Sequence, residues 1–269
     1  MERMSQEELD ERILKHKKWT SKRRGGEKLK IENRSLYGLS IKDCKLVDAE
    51  ITNCLFNKVT MEKVWFSQSI LHGCEYRDSK IMFCNFNNAE MIRSTFIRTK
   101  VSSDFMNTDL FKSKFFDSYF AGSCLSDAIL QCVRGSRSDF SKCNLRKAKL
   151  DGADFSQCSF KDVSFLNAVL VDANITSSNI DGADFSNANL AHATLPERVM
   201  QLGPIGSRND YIIFWADKNL ILCGCWNNYD GGTLEEFEKR VHETYKEQSN
   251  PYRLQYEAAI AMFKMIKKA

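Results

Sequence analysis

The sequence predicts a mainly β fold in which residues 29–195 form a four-sided β-helix, a solenoid whose coils contain about twenty residues. Two observations predict it. From residue 31 to residue 195 an apolar side chain recurs at every fifth position, and Gly135 is the single exception among 34 such positions. The residue two places before each apolar position is small almost throughout, as Ala153 and Ala183 are. One large and one small inward residue in every five indicate a chain that turns a corner every five residues.

The five-residue spacing changes once, at a step of four residues from Val101 to Phe105. Because four corners complete a coil, side chains twenty positions apart are expected to stack in successive coils, and those on either side of the step are nineteen apart. This spacing predicts one inward stack that contains Leu130, Leu150 and Leu170.

Residues 153–157 and 183–187, which read ADFSQ and ADFSN, represent the repeat. The pattern strongly resembles the pentapeptide-repeat family, and the resemblance covers roughly 60% of the chain. It implies a right-handed quadrilateral β-helix. A solenoid presents a long fixed surface, so we expect a protein that binds other molecules by shape.

Both ends of a solenoid must be covered, because their backbone groups and inward side chains would otherwise be exposed. Residues 1–28 are predicted to form an N-terminal capping helix and a basic linker, with a capping box at residues 5–8 and an end at Gly25-Gly26. The apolar stripe of this helix consists of Leu9, Ile13 and Leu14.

Residues 196–269 are predicted to form a C-terminal α/β module with the order ββαα. Tyr211–Ala216 and Leu220–Trp226 are expected to be strands joined by a turn. Two helices follow, one after a capping box at residues 233–236 and one after Asn250.

Parts of this module, at residues 205–211, 223–226 and 233–237, resemble a terminal module of small bacteriophage and prophage proteins. The opening segment, residues 7–27, is similar to the leader of phage-encoded pentapeptide-repeat proteins. The resemblance implies a phage or prophage gene and a bacterial host.

Proteins of the pentapeptide-repeat family often pair through their C-terminal ends, so the resemblance implies a homodimer built by the C-terminal module. The module is rich in aromatic residues, more than a unit of its size is expected to bury alone. The candidate dimer surface consists of Tyr211, Phe214, Trp215 and Trp226.

The sequence contains no pattern typical of an enzyme, a metal site or a cofactor site. Six of the ten cysteines occupy the small inward position, where a thiol acts as a compact apolar group: Cys44, Cys54, Cys74, Cys84, Cys143 and Cys158. Cys223 and Cys225 lack a second pair of ligands, so strand packing is favoured over zinc binding. The four histidines are scattered, and none lies beside a nucleophile at a recognisable spacing. We therefore expect no catalytic residue, no metal and no cofactor.

No apolar run approaches the length of a membrane span, and the charged N-terminus lacks the core of a signal peptide. These features predict a cytoplasmic protein of the bacterial host cell without a membrane partner.

The net charge of +4 hides a gradient along the solenoid. Residues 93–149 contain 11 basic and 5 acidic residues, whereas residues 150–195 contain 1 basic and 6 acidic residues. Several outward charges of opposite sign are twenty residues apart and are expected to form exposed ion pairs, namely Asp117 with Arg137, Asp127 with Lys147, and Lys142 with Asp162. The exception is a predicted basic corner without an acidic neighbour until Asp154, which is either a solvated patch or a partner surface. It consists of Arg93, Lys112, Lys114 and Arg134.

Three classes of function remain. The favoured class is a non-enzymatic phage or prophage protein that binds and modulates a bacterial host protein, such as a defence or DNA-handling factor, whose identity the sequence does not contain. The alternative is a DNA mimic that acts on DNA gyrase or another DNA-binding protein, as some members of the family do. Mimicry requires a densely acidic surface, and only the last coils are acidic.

The third class is a nucleic-acid-binding protein that would use the basic residues of the N-terminal segment. A basic run beside a capping helix is usually solvated, so we expect no nucleic-acid partner. The run consists of Lys15, Lys17, Lys18, Lys22, Arg23, Arg24, Lys28 and Lys30.

Overall fold

The computed structural model describes residues 1–196, 199–207, 209–223, 226 and 231–268. A parallel β-solenoid occupies the middle of the chain, helix α1 (Gln6–Thr20) covers its first coil, and a C-terminal module covers its last coil. The strands up to the end of the solenoid are β1 (Glu2–Arg3), β2 (Lys30–Glu32), β3 (Arg34–Tyr37), β4 (Ser40–Lys45), β5 (Glu50–Thr52), β6 (Leu55–Asn57), β7 (Thr60–Trp65), β8 (Glu75–Arg77), β9 (Lys80–Asn85), β10 (Thr95–Ile97), β11 (Lys100–Asp104), β12 (Lys114–Phe116) and β13 (Arg134–Ser136).

Backbone pairing follows the predicted coil. Strand order is β1-β3-β6-β8-β10-β12-β13 in a seven-stranded sheet, β11-β9-β7-β4 in a four-stranded sheet and β2-β5 in a third sheet. Pairs between two solenoid strands are parallel, and their partners are twenty residues apart, except across the step, where Thr95 pairs with Lys114. Isolated parallel bridges continue the coil to Thr194, which pairs with Asn174. The predicted β-helix is confirmed.

We number the four sides of a coil by their first large inward residues: Ile31 for the first side, Leu36 for the second, Ile41 for the third and Leu46 for the fourth. These positions are buried in every coil as far as Leu190. The predicted leucine stack on the first side is confirmed by bridges that join residues 129, 149 and 169.

Aromatic rings fill much of the interior. On the third side the ring centroids of Phe120 and Phe140 are 5.3 Å apart, and those of Phe140 and Phe160 are 5.6 Å apart. Gly135 leaves room for a neighbouring ring, because a Cβ atom there would lie 2.4 Å from Cδ1 of Phe155. The Phe155 ring lies 6.4 Å from that of Phe115 across the glycine. The missing side chain is therefore compensated by packing and leaves no dent.

The corners depend on backbone conformation. Two residues after most large inward side chains the chain enters the left-handed region, for example at Asn53 (φ 53°) and Asp78 (φ 51°). Asparagine and aspartate adopt this conformation more readily than most residues, which explains their frequency at the corners.

Hydroxyl groups at the small inward position link one coil to the next. Ser79 Oγ donates a hydrogen bond to the Phe56 carbonyl (3.1 Å) and accepts one from the Val59 N–H (3.0 Å). Ser69 Oγ makes the equivalent contact earlier in the chain, where it donates a hydrogen bond to the Leu46 carbonyl (2.7 Å). Buried hydroxyls are tolerated here because backbone groups of the preceding coil satisfy them.

The N-terminal cap differs from its prediction in two ways. Ser5 caps α1 by accepting from the Glu8 N–H, as expected, but the helix ends at Thr20 and not at the glycines. Leu9 is buried as expected, whereas Leu14 is 53% exposed. His16, which was not part of the predicted apolar stripe, is fully buried. Its Nδ1 accepts a hydrogen bond from the Leu29 N–H (2.9 Å), which joins the helix to the first coil.

The C-terminal module has one strand more than predicted. It contains β14 (Val199–Ile205), β15 (Asp210–Trp215), β16 (Leu220–Cys223), α2 (Leu234–Thr244) and α3 (Pro251–Lys268). The strands form an antiparallel sheet in the order β14-β15-β16, so the described part of the module has the order βββαα. The missed strand contains Gly203 and Pro204, which weakened its sequence pattern.

Alternation along this sheet produces two apolar faces. Ile213, Trp215 and Leu222 join the core of the solenoid, and the Trp215 ring lies 5.4 Å from that of Phe185. The opposite face packs on the two helices through Phe214, whose ring lies 4.9 Å from that of Phe263. The sheet is therefore the C-terminal cap that a solenoid requires.

Both helices of the module begin as predicted. Thr233 forms a capping box with Glu236 at the start of α2. Asn250 Oδ1 accepts from the Tyr252 and Arg253 N–H groups at the start of α3.

Candidate functional site

The structure brings the four residues of the predicted basic corner together. Lys114 and Arg134 are paired neighbours in β12 and β13. Arg93 and Lys112 lie at the corner that precedes this side, both with φ 57°, and the pairing of Thr95 with Lys114 places one above the other. All four basic side chains are exposed. We call these four residues the basic corner.

Within the solenoid, where every residue from 30 to 194 is described, no salt bridge involves the basic corner. Asp154 pairs with Arg134 through the backbone, but its Oδ1 accepts from Asn174 Nδ2 (3.1 Å) and the Ser156 N–H (3.1 Å). The Asp154 carboxylate thus accepts hydrogen bonds from other donors and forms no salt bridge with Arg134. The four cations are available to solvent or a partner.

The next corner of the same coils shows the opposite arrangement. Arg98 pairs with Asp78 (2.7 Å), and Arg137 pairs with Asp117 (2.7 Å). Hydrogen bonds from the guanidinium groups hold the pKa of Asp78 and of Asp117 below the ordinary value. Of the three predicted ion pairs of the solenoid, this Asp117 pair forms and the other two do not.

Two apolar pairs flank the basic corner, and the sequence analysis missed them. Ile92 and Phe111 lie on the first side, next to Arg93 and Lys112, and Lys112 Nζ lies 4.8 Å from the centroid of the Phe111 ring. On the second side Ile97 pairs with Phe116. These four apolar residues are partly exposed. Their signal in the sequence is an apolar residue directly after the large inward position.

The candidate dimer surface is wrong for three of its four residues. Phe214, Trp215 and Trp226 are 0%, 3% and 7% exposed, because the two faces of the sheet pack on the solenoid and on the helices. Tyr211 is partly exposed.

The exposed apolar surface of the described module lies instead on α3. Leu254, Met262 and Met265 are 53%, 43% and 72% exposed, and Ala258 and Ala261 between them are exposed as well. The spacing from Leu254 through the two alanines to Met265 is four, three and four residues, typical of a helix that pairs with another helix.

The inward cysteines behave as apolar groups. Burial raises the pKa of Cys74 and of Cys143 to about 12, so both thiols remain protonated. Cys44 is only half-buried, and Cys223 packs against the core of the module. The Cys225 part of the weak zinc pattern lies outside the described residues, within which no group of three candidate metal ligands occurs.

The N-terminal basic run is partly neutralised. Lys28 and Lys30 both pair with Glu50, and Lys15 pairs with Glu11 (3.2 Å). In the part of the chain that the structure covers, no helix has the length and apolarity needed to cross a membrane.

Comparison with known proteins agrees with this architecture. The family model for pentapeptide repeats matches residues 138–176 and 168–196 with 8 copies. Residues 138–196 are pentapeptide repeats. No catalytic family is among the matches, and no curated protein matches the chain.

Solved structures of pentapeptide repeat proteins are also similar to parts of this chain. HetL, a pentapeptide repeat protein involved in heterocyst differentiation regulation from the cyanobacterium Nostoc, is 16% identical over 68% of this chain and 95% of its own, with a TM-score of 0.36. Full-length QnrB1, a plasmid-mediated fluoroquinolone resistance protein, is 16% identical over 62% of this chain and 84% of its own, with a TM-score of 0.34. A pentapeptide repeat protein of the Arabidopsis thaliana thylakoid lumen is 24% identical over 45% of this chain and 67% of its own, with a TM-score of 0.17.

Proposed function

We propose that this chain is a non-enzymatic interaction protein, encoded by a phage or prophage, that binds and modulates a protein in the cytoplasm of the bacterial host. One observation carries the proposal. Four exposed cations of the basic corner have no ionic partner in the solenoid, and an apolar pair lies on each side of them.

This combination suits a protein partner with an acidic surface. Aromatic and arginine side chains contribute most of the binding energy in many interfaces, and a surrounding of apolar contacts excludes water from them. The solenoid holds its side chains on a regular backbone ladder, so little ordering is required on binding. Apolar contacts would supply affinity, while the cations would set the orientation and accelerate association.

The alternative function, a DNA mimic that acts on DNA gyrase or another DNA-binding protein, is favoured only by the acidic last coils. There residues 150–195 contain 6 acidic residues and 1 basic residue. Imitation of a phosphate backbone needs acidic groups along the whole rod, and the basic corner interrupts them.

The test is affinity capture from a phage-infected bacterial lysate with three versions of the full chain. The Lys112→Ser/Arg134→Ser variant should lose the partner, and capture by the unchanged chain should weaken as salt rises. The matched control is Arg98→Ser/Arg137→Ser, which removes two cations from the neighbouring corner and should keep the partner. Equal capture by both variants would exclude the basic corner as the binding surface.

We also propose a homodimer, formed through the exposed stripe of α3. A second copy of the same stripe fits it, because the two alanines allow close approach of two helices while Leu254 and Met265 supply apolar area. Sedimentation analysis should show a dimer that Met265→Glu dissociates, whereas Lys246→Glu, at an exposed position between α2 and α3, should leave it intact. A monomer at micromolar concentration would refute the homodimer.

A further inference from the structure

The outer surface of the four-stranded sheet carries two exposed aromatic residues. Phe83 in β9 is 66% exposed and Trp65 in β7 is 41% exposed. The two strands are paired neighbours, and Trp65 pairs with Asn85, two residues after Phe83. The rings therefore project from adjacent strands on the third and fourth sides of the solenoid. The basic corner lies between the first and second sides.

The backbone at Phe83 is unusual for an aromatic residue. Its φ is 55°, in the left-handed region, where bulky side chains are rare and asparagine, aspartate and glycine are preferred. Two coils later, after the four-residue step, the equivalent position is a glycine, Gly122 (φ 75°). Left-handed residues occur at most corners of the solenoid, but Phe83 is the only phenylalanine, tyrosine or tryptophan with a positive φ among the described residues. The backbone is therefore more strained at this corner than at an asparagine or aspartate.

Four exposed lysines lie on strands of the same four-stranded sheet as the two rings: Lys45, Lys63, Lys80 and Lys100. Lys45 pairs with Trp65 in the adjacent strand, and Lys80 pairs with Lys100. Within the fully described solenoid none of the four lysines forms a salt bridge.

Two of the acidic residues near these lysines, Glu62 and Asp104, have other partners. Glu62 pairs with Lys42 (3.8 Å). Asp104 accepts hydrogen bonds from Asn87 Nδ2 (2.9 Å) and from the Met106 N–H (3.1 Å). Asp43, one coil before Lys63, is exposed and forms no salt bridge in the solenoid. The surface around the rings is therefore basic on balance.

We propose that this face of the sheet binds single-stranded nucleic acid, with bases stacked on Phe83 and Trp65 and phosphates held by the four lysines. Single strands alternate flat apolar rings with negative charges, which is the alternation that this surface complements. A duplex hides the faces of its bases and would contact the lysines alone. This activity is separate from the proposed binding of a host protein at the basic corner.

The experiment measures fluorescence anisotropy of a labelled 12-nucleotide oligo(dT) with the full chain at low salt. Phe83→Asn should weaken binding about tenfold, since loss of one stacked base is worth that much. The same substitution should raise the thermal midpoint, because asparagine adopts the left-handed conformation more readily. A rise in stability together with a loss of binding excludes unfolding as the cause.

Two further variants locate the charges. Lys63→Ser/Lys80→Ser should reduce the slope of log affinity against log salt by about 1.4, as expected for two phosphate contacts. The Lys112→Ser/Arg134→Ser variant of the opposite corner should bind the oligonucleotide within about twofold of the unchanged chain.

Three outcomes would overturn the proposal. The first is absence of oligonucleotide binding at tens of micromolar protein, in which case an acidic protein surface is the remaining candidate for the patch. The second is equal affinity of the unchanged chain and the Phe83→Asn variant for oligo(dT), which would mean that the lysines bind it without base stacking on Phe83. The third is displacement of the labelled oligonucleotide by poly-glutamate as effectively as by unlabelled oligo(dT) at the same concentration of negative charge. A site that stacks bases must prefer oligo(dT).

Discussion

The early and late coils of the solenoid follow the same path with different side chains. The family model matches residues 138–196 and not residues 30–137, although backbone pairing at twenty residues continues through both. In the late coils the small inward residue is often alanine, as at Ala168 and Ala173, whereas in the early coils serine, threonine, cysteine and valine are more frequent there than alanine. The path therefore depends on size and polarity at two positions in five, and it does not require the consensus residues.

The outward side chains differ more strongly. The large apolar residues that are exposed in the solenoid all belong to the early coils: Tyr37, Trp65, Phe83, Met106 and Tyr119. The basic corner lies in the middle coils, ahead of the repeats that the family model matches. The last part of those matched repeats is acidic. Departure from the regular repeat and a distinctive surface thus occur together, and both binding surfaces that we propose on the solenoid lie outside the late coils.

The largest expected effect is loss of an inward ring. Phe96 lies 4.8 Å from the Tyr76 ring and 5.2 Å from the Phe115 ring. Phe96→Ala should lower the free energy of unfolding by about 3–5 kcal/mol. Ile175→Ala, on the same side in the late coils, should cost about 2–5 kcal/mol and less than Phe96→Ala. Urea unfolding of both variants measures the difference, and a larger loss for Ile175→Ala would contradict the view that ring stacks stabilise the early coils more.

The second prediction concerns the inward hydroxyls of the early coils. Ser79→Ala leaves the buried Val59 N–H without its hydrogen-bond acceptor, which should cost about 1–3 kcal/mol. The matched control is Ser69→Ala, because the Ala49 N–H also donates to the Leu46 carbonyl (3.2 Å) and keeps that bond. Chemical denaturation should show the smaller loss for Ser69→Ala. Equal losses would mean that the hydroxyls contribute only through their own donated bonds.

The sequence was sufficient to predict the solenoid, its step and the residues of the basic corner. These follow from periodicity alone, because a fixed period places each residue on a side of the coil. The module was harder, since Phe214 and Trp215 point to opposite faces of one sheet and both are buried. That burial depends on the last coil and the helices, which no local pattern reports. The strain at Phe83 was also hidden, because the corner conformation appears only when the backbone is folded.

A smaller effect is expected at the N-terminal cap under acid conditions. Burial holds the pKa of His16 below its ordinary value, although the Val47 carbonyl and the Asp48 charge act in the other direction. The unfolded chain therefore binds a proton near pH 6.5 that the folded chain does not, and stability falls as the pH drops below that value.

His16→Asn should remove this part of the pH dependence while its Oδ1 still accepts from the Leu29 N–H. Thermal midpoints at pH 7.5 and pH 5.5 test it: the unchanged chain should lose more stability between them than the variant. The other histidines are present in both proteins and cancel in the comparison. An identical loss in the two proteins would show that His16 does not contribute to the acid sensitivity of the early end.

The smallest effect is expected at the two charged corners, and its sign distinguishes them. Lys112→Ser/Arg134→Ser should change the free energy of unfolding by no more than about 0.5 kcal/mol, because both side chains are exposed and unpaired. Like charges lie next to each other there, so the change should be neutral or stabilising and should vanish as salt screens the repulsion. Arg98→Ser/Arg137→Ser breaks two ion pairs and should be slightly destabilising at low salt. Urea unfolding of both double variants at low and high salt measures the sign and the salt dependence of each change in the free energy of unfolding. If both double variants lost the same amount of stability, the basic corner would stabilise the solenoid as the Arg98 and Arg137 ion pairs do. It would then not be a surface kept free for a partner.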